Sequence, residues 1–350
     1  METLRQASPV PDTSAFEAVE PSLSRAASIA TPAHPRLVFH QQPRHSHHPR
    51  DEILAGLRQR PRTISPKFLY DETGAQLFDD ITEQPEYYLT RTERQILLQH
   101  RGEMSAVVGT GNVLIEPGCG VCEKVELLLE QLQPSVYIPL DISEHHLHCA
   151  AQRLVQRYPW LHIRAVFCDY TQGLELPEDI PRSARLLFFP GSTVGNFEPA
   201  VARQFLGCLR NACGDNGALL IGVDLRKDAG TLHAAYNDRA GVTAAFNLNV
   251  LNHINRLVDG NFEPDRFRHL AFFNERHSRI EMHLESLMDH QVTLSGEVFH
   301  FAAGERIHTE NSYKYTVDDF RRLSGAAGFS LTRTWCDDAG QFSVNFLQAA

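Results

Sequence analysis

The sequence predicts an α/β protein whose core is a mainly parallel sheet, joined to a second region of helices and antiparallel strands. Two observations lead to this fold class. Between residues 113 and 224, short apolar runs alternate with helical segments, as in parallel sheets that are covered on both faces. After residue 227 this alternation gives way to a long helical stretch, and then to segments with the two-residue period of antiparallel strands.

Length and charge exclude several classes of protein. A chain of 350 residues is enough for one large domain or two ordinary ones. The net charge of -10 disfavours a general nucleic-acid binder, which would carry a basic face. No apolar run is long enough to span a bilayer, and the N-terminus lacks the apolar core of a signal peptide. We therefore expect a cytoplasmic protein without nucleic-acid or membrane partners. We also expect a monomer with a small-molecule substrate.

The elements follow in order along the chain. Residues 1–48 are rich in Ser, Pro, Ala and His without a sustained period, so we expect a disordered extension there. A short helix follows from Asp51, and then two helices flank a Pro-Glu-Tyr-Tyr turn. The predicted parallel strands lie in NVLIEPGCG, VYIPLDIS, HIRAVFCDY, RLLFFPGSTVGNF and GALLIGVDL. The chain closes with a helix and a hairpin, so the predicted core is 91–226 plus 315–350 and the second domain is 49–90 plus 227–314.

The turn in IEPGCGVCEK has the features of a nucleotide-binding loop. Gly118 and Gly120 follow an apolar run with an acidic residue at its end, and a helix begins directly afterwards. Glycine lets the backbone pass close to a ligand, and the helix directs its N–H groups toward that ligand. A dinucleotide-binding turn would have a third glycine where Glu123 stands, which argues against NAD or FAD. The wider turn fits S-adenosylmethionine (SAM).

Acidic residues at the ends of the next two strands strengthen the SAM interpretation. Asp141 lies about twenty residues after the turn, where a carboxylate can hold the ribose hydroxyls. Asp169 ends the following strand and could accept a hydrogen bond from the adenine amino group. Tyr170 comes next and could pack on the adenine ring.

The two cysteines of the same turn offer a competing interpretation as a redox or zinc site. Cys119 and Cys122 form a single CxxC pair, and the seven cysteines of the chain are scattered and odd in number. A zinc or thioredoxin-like site would need a second CxxC or a Cys/His pair at suitable spacing. We therefore favour structural positions in the turn for both cysteines and expect no metal site.

Five separated segments resemble one family. They are LYDETGAQLFDDITEQPEYYLTRTE, FFPGSTVGNFEP, AYNDRAGVTAAFNLNVL, RIEMHL and GERIHTENSYKY. Together they resemble the histidine-specific, SAM-dependent methyltransferases of ergothioneine biosynthesis, from about Asp51 to the C-terminus. The resemblance implies a class I (Rossmann-like) methyltransferase core with an α+β substrate-binding domain. It also implies trimethylation of the α-amino group of L-histidine, which gives hercynine.

The resemblance assigns site residues by motif. Those implied for the amino-acid end of the substrate are Tyr87, Asn196 and Tyr236. Those implied for the imidazole ring are Glu310 and Ser312 as polar contacts and Met282 as the pocket lining. Tyr70 is implied to face the methylated nitrogen as the catalytic residue. The implied cofactor contacts are Gly118, Lys124, Asp141, Asp169 and Tyr170.

These assignments agree with the chemistry of methyl transfer, which is a direct displacement that depends mainly on placing the amine in line with the methyl group. The hydroxyls of Tyr87 and Tyr236, with the Asn196 amide, would be neutral donors to the substrate carboxylate, without a competing cation. Tyr70 could contact the trimethylated cation through its ring face or take a proton from the incoming amine. The sequence leaves these two roles open.

The chain departs from the family pattern in the cofactor turn. It reads EPGCGVCEK where the family commonly has ELGSGTSEK, and it has Tyr170 where phenylalanine is frequent. Two alternatives to histidine methylation therefore stay open. One is methylation of a histidine derivative or another small amine. The other is a non-catalytic module that binds SAM and an amino acid.

Overall fold

The computed structural model describes residues 35–42, 48–171 and 173–350. In chain order, the strands are β1 (Leu37–Gln41), β2 (Arg62–Thr63), β3 (Val113–Pro117), β4 (Val136–Asp141), β5 (Ile163–Phe167), β6 (Arg185–Phe189), β7 (Ala218–Asp224), β8 (Phe267–Asn274), β9 (Arg279–Ser286), β10 (His290–Leu294), β11 (Glu297–Phe301), β12 (Arg306–Tyr313), β13 (Phe329–Cys336) and β14 (Phe342–Ala349). The α-helices are α1 (Pro49–Arg58), α2 (Glu72–Thr82), α3 (Tyr88–Val108), α4 (Glu123–Leu132), α5 (Glu144–Arg157), α6 (Pro199–Cys213), α7 (Ala229–Ala235), α8 (Val242–Val258) and α9 (Val317–Gly325). Short 3₁₀ helices span Pro66–Leu69, Thr193–Asn196 and Pro264–Arg266.

An eight-stranded sheet in the order β1-β5-β4-β3-β6-β7-β14-β13 forms the larger layer. Strands β1 and β3 to β7 are parallel to one another, whereas β14 is antiparallel to both β7 and β13. The carboxyl ends of the central parallel strands therefore meet at one edge, where open α/β sheets bind ligands. This order, with an antiparallel strand inserted before the last one, is that of class I methyltransferases and confirms the predicted fold class.

The strands at the centre of this sheet are apolar because helices cover both faces. All five residues of β3 and of β6 are buried. Residues of α3, α4 and α5 share one apolar layer with Leu114, and residues of α6 and α9 share the other with Ile115. The predicted alternation of strands and helices reflects this double covering.

A smaller four-stranded sheet has the order β2-β12-β9-β8 and carries the predicted substrate motifs. Strand β9 is antiparallel to both β8 and β12, as the two-residue period predicted. Helix α8 packs against β8 and against α2, and β10 and β11 form a separate hairpin. The described residues from 35 onward belong to one compact unit, so the division into two domains stays a proposal.

Strand β12 contains a β-bulge that decides which face Glu310 occupies. His308 pairs with His283, and Glu310 pairs with Met282, so Thr309 is an additional residue. Side chains alternate along a strand, so regular pairing would have placed Thr309 opposite Met282 and turned Glu310 to the other face. The bulge therefore brings Glu310 to the same face of the sheet as Met282.

The prediction of disorder for residues 1–48 is wrong at Leu37–Gln41, which forms β1. This strand pairs in parallel with β5, and Phe39 stacks on His148 with ring centroids 4.0 Å apart. Its order comes from pairing with a distant strand rather than from an apolar face of its own, since Val38 and Phe39 are exposed. Residues 1–34 and 43–47 lie outside the described residues.

Within the described residues, no helix combines the length and the apolar character needed to cross a membrane.

Candidate active site

The glycine turn after β3 is closely packed around Gly118. This residue has φ +70°, and a Cβ added to it would lie 3.0 Å from the Tyr170 hydroxyl and 3.2 Å from its ring. The Gly118 N–H donates to the carbonyl of Leu140 at 2.7 Å, which ties the turn to the end of β4. Only glycine fits this backbone conformation and this space without strain.

Asp141, at the end of β4, stabilises the same turn by hydrogen bonds. Its carboxylate accepts the N–H of Gly120 and the N–H of Ser143, both at 2.8 Å, and burial raises its pKa. Each carboxylate oxygen can accept a second hydrogen bond, such as one from a ribose hydroxyl. The glycine turn, this carboxylate and the Tyr170 ring therefore fit the adenosyl part of SAM.

The other two predicted cofactor residues form ion pairs. Lys124 Nζ lies 2.6 Å from Glu93, whose carboxylate also accepts the N–H of Gly191 at 2.9 Å. Lys124 is thereby linked to the loop after β6. Asp169 lies 3.2 Å from Lys67, a cation that the sequence reasoning missed and that precedes Tyr70 by three residues.

The loop after β6 lies directly against β12. A Cβ added to Gly195 would lie 2.8 Å from the carbonyl oxygen of Tyr313, so only glycine allows this approach. The Ser192 hydroxyl accepts the N–H of Asp224 at 2.9 Å, which fixes the loop to the end of β7. Asn196 and Glu310 line one cleft of about 410 Å³, together with residues of α1 and β2. The predicted substrate residues that do not line this cleft are Tyr70, Tyr87, Tyr236, Met282 and Ser312.

Three predicted tyrosines lie in one group of aromatic rings. The ring of Tyr70 is 5.6 Å from Phe78 and 5.4 Å from Phe246, and the ring of Tyr87 is 6.2 Å from Tyr236. Phe78 connects Tyr70 with Tyr87, since its ring centroid is also 6.3 Å from that of Tyr87. Burial raises the pKa of each tyrosine well above its ordinary value, so all three hydroxyls stay protonated at neutral pH.

Glu310 has a buried carboxyl group with one oxygen free to accept a hydrogen bond. It is 8% exposed, and its Oε2 has no hydrogen-bond partner among the described residues. Burial raises its pKa to about 7, although the charge of Lys314 opposes this rise. Met282 is its cross-strand neighbour, and Ser312 lies on the same face two residues along. The predicted imidazole contacts therefore lie side by side.

A buried cation next to these residues was missed by the sequence reasoning. Lys314 is 2% exposed and lies 2.6 Å from Asp224, 2.8 Å from Ser312 Oγ and 3.1 Å from the Tyr236 hydroxyl. A cation therefore lies beside two of the predicted neutral side chains, Tyr236 and Ser312. The sequence signal for this residue was its position two residues beyond Ser312, because side chains two residues apart in an extended chain point to the same side.

The shifted pKa of Glu310 predicts that this residue destabilises the protein at neutral pH. A carboxyl whose folded-state pKa is about 7, against 4.5 ordinarily, adds stability below pH 4.5 and loses it as the pH rises through 7. Glu310→Gln should therefore be more stable than wild type at pH 8, by about 3 kcal/mol at most. Chemical denaturation at pH 5 and pH 8 measures this, and most of the difference should vanish at pH 5.

Glu285 on β9 provides a control of opposite sign. Hydrogen bonds from Arg306 and Arg268 hold the pKa of this carboxyl below its ordinary value. Glu285→Gln should therefore lower stability near neutral pH. A stability difference for Glu310→Gln that does not change with pH would contradict the assignment of a buried, reluctantly ionised carboxyl.

The CxxC pair has buried positions in the turn. Cys119 is 7% exposed and Cys122 is 1% exposed, and Cys122 Sγ lies 3.3 Å from the Tyr137 hydroxyl. Burial raises the pKa of Cys119 well above its ordinary value, which keeps this thiol protonated and unreactive. These features favour the structural interpretation over redox chemistry.

Comparison with known proteins places this arrangement in a family. A family profile described as histidine-specific methyltransferase, SAM-dependent, matches residues 49–349. The chain belongs to the histidine-specific, SAM-dependent methyltransferases. It is thus a methyltransferase that uses SAM, and the family and cofactor predicted from the five motifs are confirmed.

Relatives of this histidine-specific methyltransferase match along most of its length. The histidine N-alpha-methyltransferase of Mycolicibacterium smegmatis is 39% identical over 85% of this chain and 93% of its own length. The protein of the same name from Mycobacterium tuberculosis is 37% identical with the same coverage. Ergothioneine biosynthesis protein 1 of Neurospora crassa is 33% identical over 79% of this chain, which corresponds to 32% of that longer protein.

Proposed function

We propose that this enzyme transfers methyl groups from SAM to the α-amino nitrogen of L-histidine until the trimethylated product, hercynine, is formed. The observation that carries the proposal is the buried carboxyl of Glu310 beside Met282 and Ser312, with an acceptor oxygen that has no partner among the described residues. Asn196 is a neutral amide at the carboxyl end of the large sheet and lines a cleft together with Glu310. An amino acid with a ring N–H can satisfy the carboxyl and the amide together.

The imidazole end provides selectivity. The Glu310 carboxylate accepts one ring N–H, the Ser312 hydroxyl meets the other ring nitrogen, and Met282 packs on the ring. A side chain without ring nitrogens, such as that of phenylalanine or leucine, would leave these buried polar groups without partners. Sites of this kind reject such analogues strongly.

The amino-acid end orients the nucleophile. Asn196 and the Tyr87 hydroxyl donate to the substrate carboxylate, which fixes the α-amino group relative to the cofactor site. The Tyr236 hydroxyl lies beside them, and its own proton is donated to Ser312 Oγ. Tyr70 is a protonated phenol at neutral pH, so it does not act as a base in its ground state. We therefore assign Tyr70 to contact with the amine and with the methylated cation through its ring and oxygen.

SAM supplies an electrophilic methyl group on its sulfonium when it is bound. The glycine turn at Gly118, the carboxylate of Asp141 and the ring of Tyr170 would hold its adenosyl part. Lys124 and Asp169 complete the proposed cofactor side, each through an ion pair to a neighbouring element. The protein's contribution is to align the neutral amine with the methyl group.

Incubation of the purified protein with labelled SAM and each of the standard amino acids tests the proposal. Histidine should accept label well above every other amino acid, and mass spectrometry should show a product with three added methyl groups. Mono- and dimethylated histidine should also be substrates, since they are the intermediates. Preferential labelling of another amine, or binding of histidine and SAM without transfer, would overturn it. Cytoplasmic location and a monomeric state remain part of the proposal.

A further inference from the structure

Lys314 occupies a position that determines the hydrogen bonding of two site hydroxyls. Its ammonium has three N–H donors and cannot accept. These donors are directed at Asp224 Oδ2, Ser312 Oγ and the Tyr236 hydroxyl, at 2.6, 2.8 and 3.1 Å. All three are thus used within the protein, and one acceptor site on each hydroxyl is occupied by the same cation.

The two hydroxyls are also bonded to each other. The Tyr236 hydroxyl donates to Ser312 Oγ at 2.8 Å. A serine hydroxyl accepts two hydrogen bonds and donates one. Ser312 therefore accepts from Lys314 and from Tyr236, and only its own O–H remains for the substrate.

We propose that Lys314 is a positioning residue that makes Ser312 an obligatory donor, so that the site binds one tautomer of the neutral imidazole. The ring nitrogen that faces Ser312 must be the unprotonated acceptor, and the N–H must face Glu310. An imidazolium, which has no acceptor nitrogen, does not fit this arrangement. The inference deepens the proposed function and rests on it.

Asp224 keeps the cation in place and provides a matched control. Its carboxylate lies at the end of β7, is fully buried, and also pairs with Lys227 at 2.5 Å and accepts from the Tyr88 hydroxyl at 2.8 Å. Lys227 donates to Tyr88, Asp224 and a backbone carbonyl, and is not among the donors to either site hydroxyl. Replacing Lys314 therefore leaves Asp224 with a cationic partner, so the fold should tolerate the change.

A double-mutant cycle tests whether Lys314 acts through Ser312. Lys314→Met should raise KM for histidine about tenfold in the wild-type background, because the Ser312 hydroxyl can then act as donor or acceptor toward the ring nitrogen. In a Ser312→Ala background the same change should cost less than about twofold. Lys227→Met should change KM by less than about threefold, and SAM affinity should stay constant in all variants. Equal costs in both backgrounds, or equal effects of the two lysine changes, would overturn the inference.

Nitrogen NMR of the wild-type protein provides a second measurement that does not depend on any variant folding. Histidine with ¹⁵N in the ring, bound together with S-adenosylhomocysteine, should show one protonated and one unprotonated ring nitrogen. Two protonated nitrogens, or two averaged signals, would overturn this inference alone. If histidine does not bind the wild-type protein, the proposed function and this inference both fail.

Discussion

Glu310→Ala is expected to lower kcat/KM for histidine by about a hundredfold or more while SAM affinity stays within about twofold. The substitution removes the acceptor that the proposed site offers to the ring N–H, and leaves that N–H buried without its partner. Because Glu310 lies on the small sheet and the cofactor turn follows β3, the effect should be confined to the amino-acid substrate. Steady-state kinetics and calorimetry with SAM measure the two parts.

Glu281→Ala is the matched control for this prediction. Glu281 is a buried glutamate on β9 that pairs with Asn311, so it lies on the opposite face of the same sheet from Glu310. It bonds Arg279 and His283, and its loss should reduce stability without changing the preference for histidine. A similar loss of histidine turnover in both variants would show that Glu310 has a structural role.

Gly118→Ala is expected to weaken SAM binding by about thirtyfold or more and to lower the thermal stability of the protein. At φ +70° an L-residue costs about 1–2 kcal/mol. Its Cβ would also press on Tyr170, 3.0 Å from the hydroxyl, and displace the ring that is proposed to pack on the adenine. Titration calorimetry with SAM and thermal unfolding measure the two effects.

Gly102→Ala provides the comparison for this glycine. Gly102 lies within α3, and a Cβ there meets no atom within 4 Å among the described residues. Alanine should be neutral or stabilising at this helical position, with unchanged SAM affinity. If Gly118→Ala bound SAM as tightly as Gly102→Ala does, the glycine turn could not be the cofactor site.

The sequence was sufficient for the central strands of the large sheet because each of their signals is local. Apolar runs such as that of β3 alternate with helices, and the acidic residues Asp141 and Asp169 follow the strands directly. Glu310 and Ser312 could be placed on one face because they are two residues apart in a strand. These predictions needed only periodicity and neighbouring residues.

The remaining features depend on contacts between distant parts of the chain. A lysine such as Lys314 would ordinarily be exposed to solvent. Its burial is possible because its ammonium forms an ion pair with Asp224 at the end of β7. The bulge is held by Thr309, whose hydroxyl donates to Asn247 on α8 at 2.7 Å. Strand β1 is ordered by its pairing with β5. None of these partners can be recognised from the residues near them in the sequence.

The close approach of Gly195 to Tyr313 has a consequence for substrate length. It joins the loop that carries Asn196 to the strand that carries Glu310, so the spacing between these two side chains cannot adjust freely. If they bind opposite ends of the amino acid, the enzyme selects substrates by the number of bonds between the backbone and the ring. A homologue of histidine with one more methylene would then lose one of its two anchors, however similar its chemistry.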